Sequence, residues 1–303
     1  MTITLAISNQ KGGVAKTTTC LSLGAALAEM GNGALLIDLD PQAALTRSLG
    51  LDPRQLQRTV IDTLMGSCSL VGVSRETSVF ALDIVPANSR LTLVDRVFYK
   101  TPGYQFRLRR LIGEISQGSY DYILLDCPPY LSPLTLNAMI AADLLIVPVQ
   151  CELHAAHSLR HVIGLARQIR EDTNPGLDYR VLVTMYDGRT RISRLILEQM
   201  QQELSQVLFK TIIQIDTKLR ECPAWGKPIT AYAPKSRAAQ QYRALAQEIQ
   251  QQDARPPETW PAEASGTPSR SEAERTASTG RLLQEHAPEE HLLKAELSEI
   301  KNA

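Results

Sequence analysis

The sequence predicts an α/β fold, a doubly wound and mainly parallel sheet followed by a disordered C-terminal tail. Three observations carry this expectation. Seven short β-branched or aliphatic runs recur along the chain, segments with helical spacing lie between most of them, and the composition changes abruptly after Gln250. With 303 residues, 44% hydrophobic and 21% charged, the balance is that of an ordinary globular protein. One domain, residues 1–251, and a tail, residues 252–303, are expected.

The elements follow in order. Ile3–Ile7 reads as the first strand and 17–30 as the first helix; Ala34–Asp38 and 82–86 are the next two strands. A helix at 106–116 precedes the strand Tyr122–Asp126, and a helix at 132–141 precedes Leu144–Val149. Helix 154–170, strand 180–184, helix 192–204, strand 209–213 and a last helix at 236–249 complete the body. Strands and helices that alternate in this way imply parallel pairing, because each crossover helix must cover a sheet face. Ligands of such sheets sit at the carboxyl ends of the strands.

Beyond Gln250 the chain turns to Pro, Ser, Thr, Ala and Glu, with five prolines and few large apolar residues. It cannot bury enough surface to offset ordering entropy, so 252 to about 285 is expected to be disordered. Leu293, Leu297 and Ile300 fall at i, i+4, i+7 and allow a short amphipathic helix near the end. Formal charge is zero overall, yet residues 252–303 hold six Lys/Arg against ten Asp/Glu, leaving the body net basic. The five cysteines are scattered, with no C-x-x-C pair, and are expected to be reduced thiols. Met1 leads directly into the first strand-like run, and no apolar stretch approaches the ~18 residues of a membrane span. A cytoplasmic protein without a membrane partner is therefore expected.

The strongest motif is Gln10-Lys11-Gly12-Gly13-Val14-Ala15-Lys16-Thr17-Thr18, between the first strand and the first helix. Glycines at 12 and 13 let backbone N–H groups wrap a polyphosphate, toward which the helix also points its positive end. Lys16 is placed to neutralise phosphate oxygens, and the Thr17 hydroxyl to ligate Mg2+. The ordinary phosphate-loop pattern would require glycine at positions 10 and 15, where Gln10 and Ala15 stand. Alanine fits at 15 provided that its φ remains negative. The loop instead matches the deviant form K-G-G-x-x-K-[ST], opened by a second lysine, Lys11.

With Asp38-Leu39-Asp40-Pro41-Gln42, Asp126-Cys127-Pro128-Pro129, Val147-Pro148-Val149-Gln150-Cys151-Glu152 and Gly226-Lys227-Pro228-Ile229, this loop resembles the ParA/Soj group of P-loop ATPases, and similarity runs to about Ile249. The resemblance implies ATP and Mg2+ as cofactors, with Lys11 to Thr18 at the nucleotide. It implies that Lys11 crosses to a second subunit's phosphates and that Asp40 orients the attacking water. Asp38 is placed near the metal shell. Independently, Asp126 closes an apolar strand, where a carboxylate holds Mg2+ through water. Lys11 has no acidic neighbour in sequence.

Residues 179–243 carry eleven Lys/Arg against five Asp/Glu, the largest local imbalance in the chain. Resemblance puts Arg189, Lys218, Arg220, Lys235 and Arg237 in or near a surface that contacts DNA phosphates when two copies pair. No helix-turn-helix is evident, so binding without sequence preference is expected. The resemblance thus implies an ATP-dependent homodimer on nonspecific DNA, nucleoid-associated, moving a chromosome, plasmid or other cargo with a ParB-like adaptor. A MinD-like membrane-cycling ATPase is the alternative, though such proteins end in a basic amphipathic helix and this chain ends in Glu-rich text. An iron-sulfur reductase sharing the loop would need cysteines at a dimer interface. The 185–187 turn and the stretch around Ile215 are candidates for the adenine pocket.

Overall fold

The computed structural model describes residues 2–98, 100–115, 118–152 and 155–253. The strands are β1 Ile3–Ile7, β2 Ala34–Asp38, β3 Arg75–Glu76, β4 Leu82–Val85, β5 Tyr122–Asp126, β6 Leu144–Val149 and β7 Asp178–Val183. They form one sheet in the order β3-β4-β2-β5-β1-β6-β7, parallel except for β3. The helices are α1 Lys16–Glu29, α2 Ala44–Ser48, α3 Val60–Leu64, α4 Leu70–Val73, α5 Leu93–Phe98 and α6 Arg107–Gly113. They continue with α7 Pro133–Ala141, α8 Ala155–Asp172, α9 Arg191–Glu203, α10 Lys218–Glu221, α11 Ile229–Tyr232 and α12 Arg237–Asp253. The expected doubly wound α/β architecture is what the chain adopts.

Both sheet faces are covered, which explains why the central strands read as continuous apolar runs. Alternation along β2 and β5 sends Leu35, Ile37, Ile123 and Leu125 to the face packed by α3 to α9. Ala34, Leu36, Tyr122 and Leu124 go to the face packed by α1, α2, α11 and α12. On that second face α1 lies against α12, and the hydroxyls of Thr19 and Tyr242 meet at 3.2 Å between them. The helix that carries the phosphate loop is therefore buried along nearly its whole length.

Two features depart from expectation. Residues 209–213 are not a seventh parallel strand. Phe209 N and Ile213 N donate to Val181 O and Val183 O of β7, but the intervening amides of Lys210 and Thr211 donate to the Glu248 carboxylate on α12. The segment thus covers the edge of the sheet without completing a ladder. Conversely, β3 is a two-residue antiparallel edge with no apolar pattern to announce it. α12 continues past the expected domain boundary to Asp253. The tail expected at 252–303, and the helix suggested by Leu293, Leu297 and Ile300, otherwise lie outside the described residues. Among the described residues no helix is long and apolar enough to cross a membrane.

Candidate functional site

The phosphate loop joins the C-terminal end of β1 to α1 and is braced by its neighbours in the sheet. Asn9 donates to Pro148 O at 2.7 Å while its Oδ1 accepts from Lys11 N at 3.0 Å. Gln150 donates to Gly13 O at 3.0 Å, and the Thr184 hydroxyl donates to Val14 O at 3.1 Å. Three side chains from the ends of β1, β6 and β7 therefore hold the loop open. None of the three was assigned a role from sequence, because single polar residues after apolar runs look like ordinary strand ends. Gly13 has φ +75°, and a Cβ at Gly12 would meet no atom within 4 Å, so that the loop presents open space.

Ala15 overturns the expectation of a negative φ: it stands at φ +65°, ψ 33° in the left-handed region, directly before α1. Such an alanine is strained by roughly 1–2 kcal/mol. Ala43, before α2, repeats the geometry at φ +52°, and Met185 also has φ +52°. Three of the four non-glycine positive-φ residues among those described thus stand at the C-terminal side of the sheet, in the loops that surround the candidate nucleotide site. Local strain of this kind persists where surrounding contacts overdetermine the backbone.

Lys16 is buried and its ammonium donates to Lys11 O at 3.0 Å. Burial lowers its pKa, against the opposing pull of Asp126, Cys127 and Asp40. Asp126 sits at the end of β5 beside Ile7 of β1 and Asp38 of β2. Both its oxygens are buried and accept no hydrogen bond among the described residues. Desolvation, and then Asp38, push its pKa well up; the nearby Thr17 hydroxyl opposes the shift without completing a hydrogen bond. A doubly orphaned carboxylate facing a lysine and a threonine is unstable in isolation and suited to a cation. The residues therefore fit Mg2+, with Thr17 and Asp126 as its protein partners and the remaining places open to phosphate oxygens and water.

Asp38, expected near the metal shell, lies beside Asp126 in the sheet register and is held by protein donors. Its Oδ2 accepts from Thr46 N at 2.9 Å and Thr46 Oγ1 at 2.7 Å, and its Oδ1 accepts from Asp40 N at 3.1 Å. Its bonds go to protein donors, so it anchors α2 and the turn carrying Asp40 rather than presenting an orphan oxygen. Burial raises its pKa to about 6 despite those bonds. Asp40 spends Oδ1 on Gln42 N at 2.8 Å, and Oδ2 has no donor among the described residues. No group of three His, Cys, Asp or Glu able to hold a metal by itself is found among those residues.

Lys11, without an acidic neighbour in sequence, has one in space: its Nζ pairs with Glu152 Oε2 across 141 residues of chain. Both side chains are partly exposed, and such pairs are worth only ~0–1 kcal/mol, so the contact is exchangeable. The two adenine candidates do come together, through Tyr186 N to Ile213 O and Ile215 N to Tyr186 O, both 3.1 Å. Cys127 is buried beside Asp126, and all five cysteines are free.

The five cations proposed for DNA are not equivalent. Arg189 is clamped by both oxygens of Asp187 at 2.8 Å. Lys218 pairs with Glu221 at 2.9 Å, and Arg237 donates to Ile215 O at 2.6 Å. Arg220 and Lys235 are exposed with no ion-pair partner among the described residues, as is Lys227, which the sequence reading did not place at DNA.

A family model described as an AAA domain matches residues 2–179. The sporulation initiation inhibitor protein Soj of Bacillus subtilis is 38% identical over 246 residues, 81% of this chain and 97% of Soj. The chromosome partitioning protein ParA of Caulobacter vibrioides is 38% identical over 247 residues, 81% of this chain and 92% of that protein. Among solved structures, cobyrinic acid a,c-diamide synthase from Mycobacterium smegmatis with bound ATP analog and magnesium shares the fold at a TM-score of 0.74 and 34% identity, covering 84% of this chain and 97% of that one. With a family model over more than half of its length and relatives of this identity over most of it, the chain belongs to the ParA/Soj family of ATPases.

Proposed function

We propose that this chain hydrolyses ATP with Mg2+, pairs with a second copy around the nucleotide, and holds DNA without sequence preference while paired. It thereby partitions or positions a chromosome, plasmid or other large cargo through a ParB-like adaptor, in the cytoplasm and on the nucleoid. One observation carries the reading: the orphaned Asp126 carboxylate faces Lys16 and Thr17 beneath an open glycine loop. The partition role of the Caulobacter relative and the ATP analog and magnesium in the M. smegmatis structure support it.

Thr17 and Asp126 would hold Mg2+, which would supply neutralisation of phosphate charge. The chain's own residues do the rest. Lys16 exchanges the Lys11 carbonyl for phosphate oxygens. The free Oδ2 of Asp40, steadied by Gln42 N and Asp38, orients the attacking water. Lys11 exchanges Glu152 for the γ-phosphate of the second copy, so loss of that phosphate weakens the pair. Pairing doubles the phosphate contacts to DNA, which makes DNA binding depend on ATP. Hydrolysis is slow in the lone protein and stimulated by the adaptor.

The test combines light scattering with DNA retention over a salt series for the natural chain, Lys11→Ala and Asp40→Ala. With ATP, Asp40→Ala should remain paired and hold DNA longest, whereas Lys11→Ala should bind nucleotide and stay single. A natural chain that remains monomeric with a saturating nonhydrolysable triphosphate would falsify the reading.

A further inference from the structure

The segment from Thr217 to Arg237 carries five Lys/Arg and one Asp/Glu, and in its middle stands Trp225, 68% exposed, in a 3-10 turn from Cys222 to Trp225. Exposure alone says little, since Phe80 is more exposed still. What distinguishes Trp225 is its setting. Its indole stacks on Tyr232 at 6.4 Å and 23°, and the Lys218 ammonium lies 5.9 Å from the centre of the Tyr232 ring. The Tyr232 hydroxyl and Lys218 both bond Glu221, which locks the tyrosine beneath the indole. The turn is fixed from behind, because Gly226, at φ +63°, is pressed against Gly50 so closely that a Cβ would stand 3.0 Å from the Gly50 Cα. A rigid, half-supported indole is thus displayed in a turn whose sequence neighbours Arg220 and Lys227 are exposed cations.

We propose that Trp225 is a stacking platform for an unpaired base, and that this surface takes single-stranded DNA more tightly than closed duplex. The inference rests on the DNA-binding reading above and adds to it. Phosphates meet the cations in either form of DNA, but only an unstacked base offers its face to an indole. Lys227 and Arg220 lie within five residues on either side of Trp225, the interleaving of charge and aromatic surface that tracks a single strand.

The chain's other tryptophan, Trp260, lies outside the described residues, so Trp260→Phe leaves Trp225 as the only indole fluorophore. With a nonhydrolysable ATP analogue present, oligo-dT should quench that fluorescence and a duplex of equal length should quench it less. Trp225→Ala should weaken oligo-dT binding by about 5- to 150-fold with an unchanged salt slope, and Trp225→Phe should recover most of the loss. Binding of oligo-dT, seen by anisotropy, without quenching or without loss in Trp225→Ala overturns this inference and spares the DNA-binding reading. Quenching by the analogue alone, with Trp225→Ala failing to pair, assigns the indole to the contact between copies and overturns it too. No binding of either DNA form removes both readings.

Discussion

The nucleotide end of the sheet and the cationic segment around α10 differ in how their charges are kept. At the first, Lys16, Asp38 and Asp126 are buried, and the Asp126 carboxylate accepts no hydrogen bond among the described residues. At the second, the charges are exposed, and Arg189 and Lys218 are answered by Asp187 and Glu221. The contrast teaches that one region is strained until a ligand arrives, whereas the other works by the sum of weak, screened contacts. Substitutions should therefore act sharply and individually at the first, and gradually at the second.

The largest effect is expected where the two regions touch. Gly226 backs the cationic turn against Gly50, which follows α2, and α2 is tied to Asp38 through Thr46. Gly226→Ala would place a left-handed alanine 3.0 Å from the Gly50 Cα and 3.1 Å from its amide nitrogen, both backbone atoms that cannot swing away. A loss of about 2–4 kcal/mol in chemical denaturation is expected. A loss within experimental error would mean that the two regions are not rigidly joined.

Next comes Asp126→Asn. Removing the buried charge should stabilise the nucleotide-free protein by about 1–3 kcal/mol, while Mg2+-dependent hydrolysis falls roughly 10- to 100-fold. The pH dependence has the same origin. Asp38 and Asp126 bind protons more tightly folded than unfolded, so the stability gained by protonation is complete below the ordinary carboxylate range and is lost as pH rises, through about 6 for Asp38 and higher for Asp126. The melting temperature of the nucleotide-free chain should consequently fall as pH rises from about 4 to about 6 through Asp38, and go on falling above that through Asp126, a slope that Asp126→Asn should flatten. A flat profile in the natural chain would remove the strain from the comparison.

The cationic segment should respond by degrees. Arg220→Ala and Lys235→Ala are each expected to lower the slope of log affinity against log salt by about 1 and affinity roughly tenfold. Lys218→Ala and Arg189→Ala should do less, because Glu221 and Asp187 already neutralise them in the free protein. Equal losses at all four positions would show that DNA displaces those carboxylates.

How much of this was legible follows the same division. The strands, the long helices and the loop could be read because period, glycine placement and the closing carboxylates each demand particular residues. The edge at 209–213 could not, since a distant Glu248 takes the amides that a ladder would have used. Nor could the Lys11–Glu152 pair, the Asp38–Thr46 anchor or the neutralisation of Lys218, all of which depend on side-chain rotamers and on which neighbours the fold supplies. Composition located the cationic segment but could not say which of its charges were free.

Ala15 tests the smallest difference. Its φ of +65° is one that glycine adopts without steric penalty, so Ala15→Gly should relieve part of the ~1–2 kcal/mol of left-handed strain. Glycine also loosens the unfolded chain by ~0.4–1 kcal/mol, which opposes the gain. The expected net is a stabilisation of at most about 1 kcal/mol in the nucleotide-free protein. If the strain is structural only, the melting temperature should rise and hydrolysis stay unchanged. If Ala15 instead keeps the loop open for phosphate, glycine will raise the melting temperature and weaken ATP binding together. The braces from Gln150 and Thr184 on Gly13 and Val14, with Thr19 N bonded to Ala15 O, impose the conformation of residue 15 from both sides, which favours the first outcome.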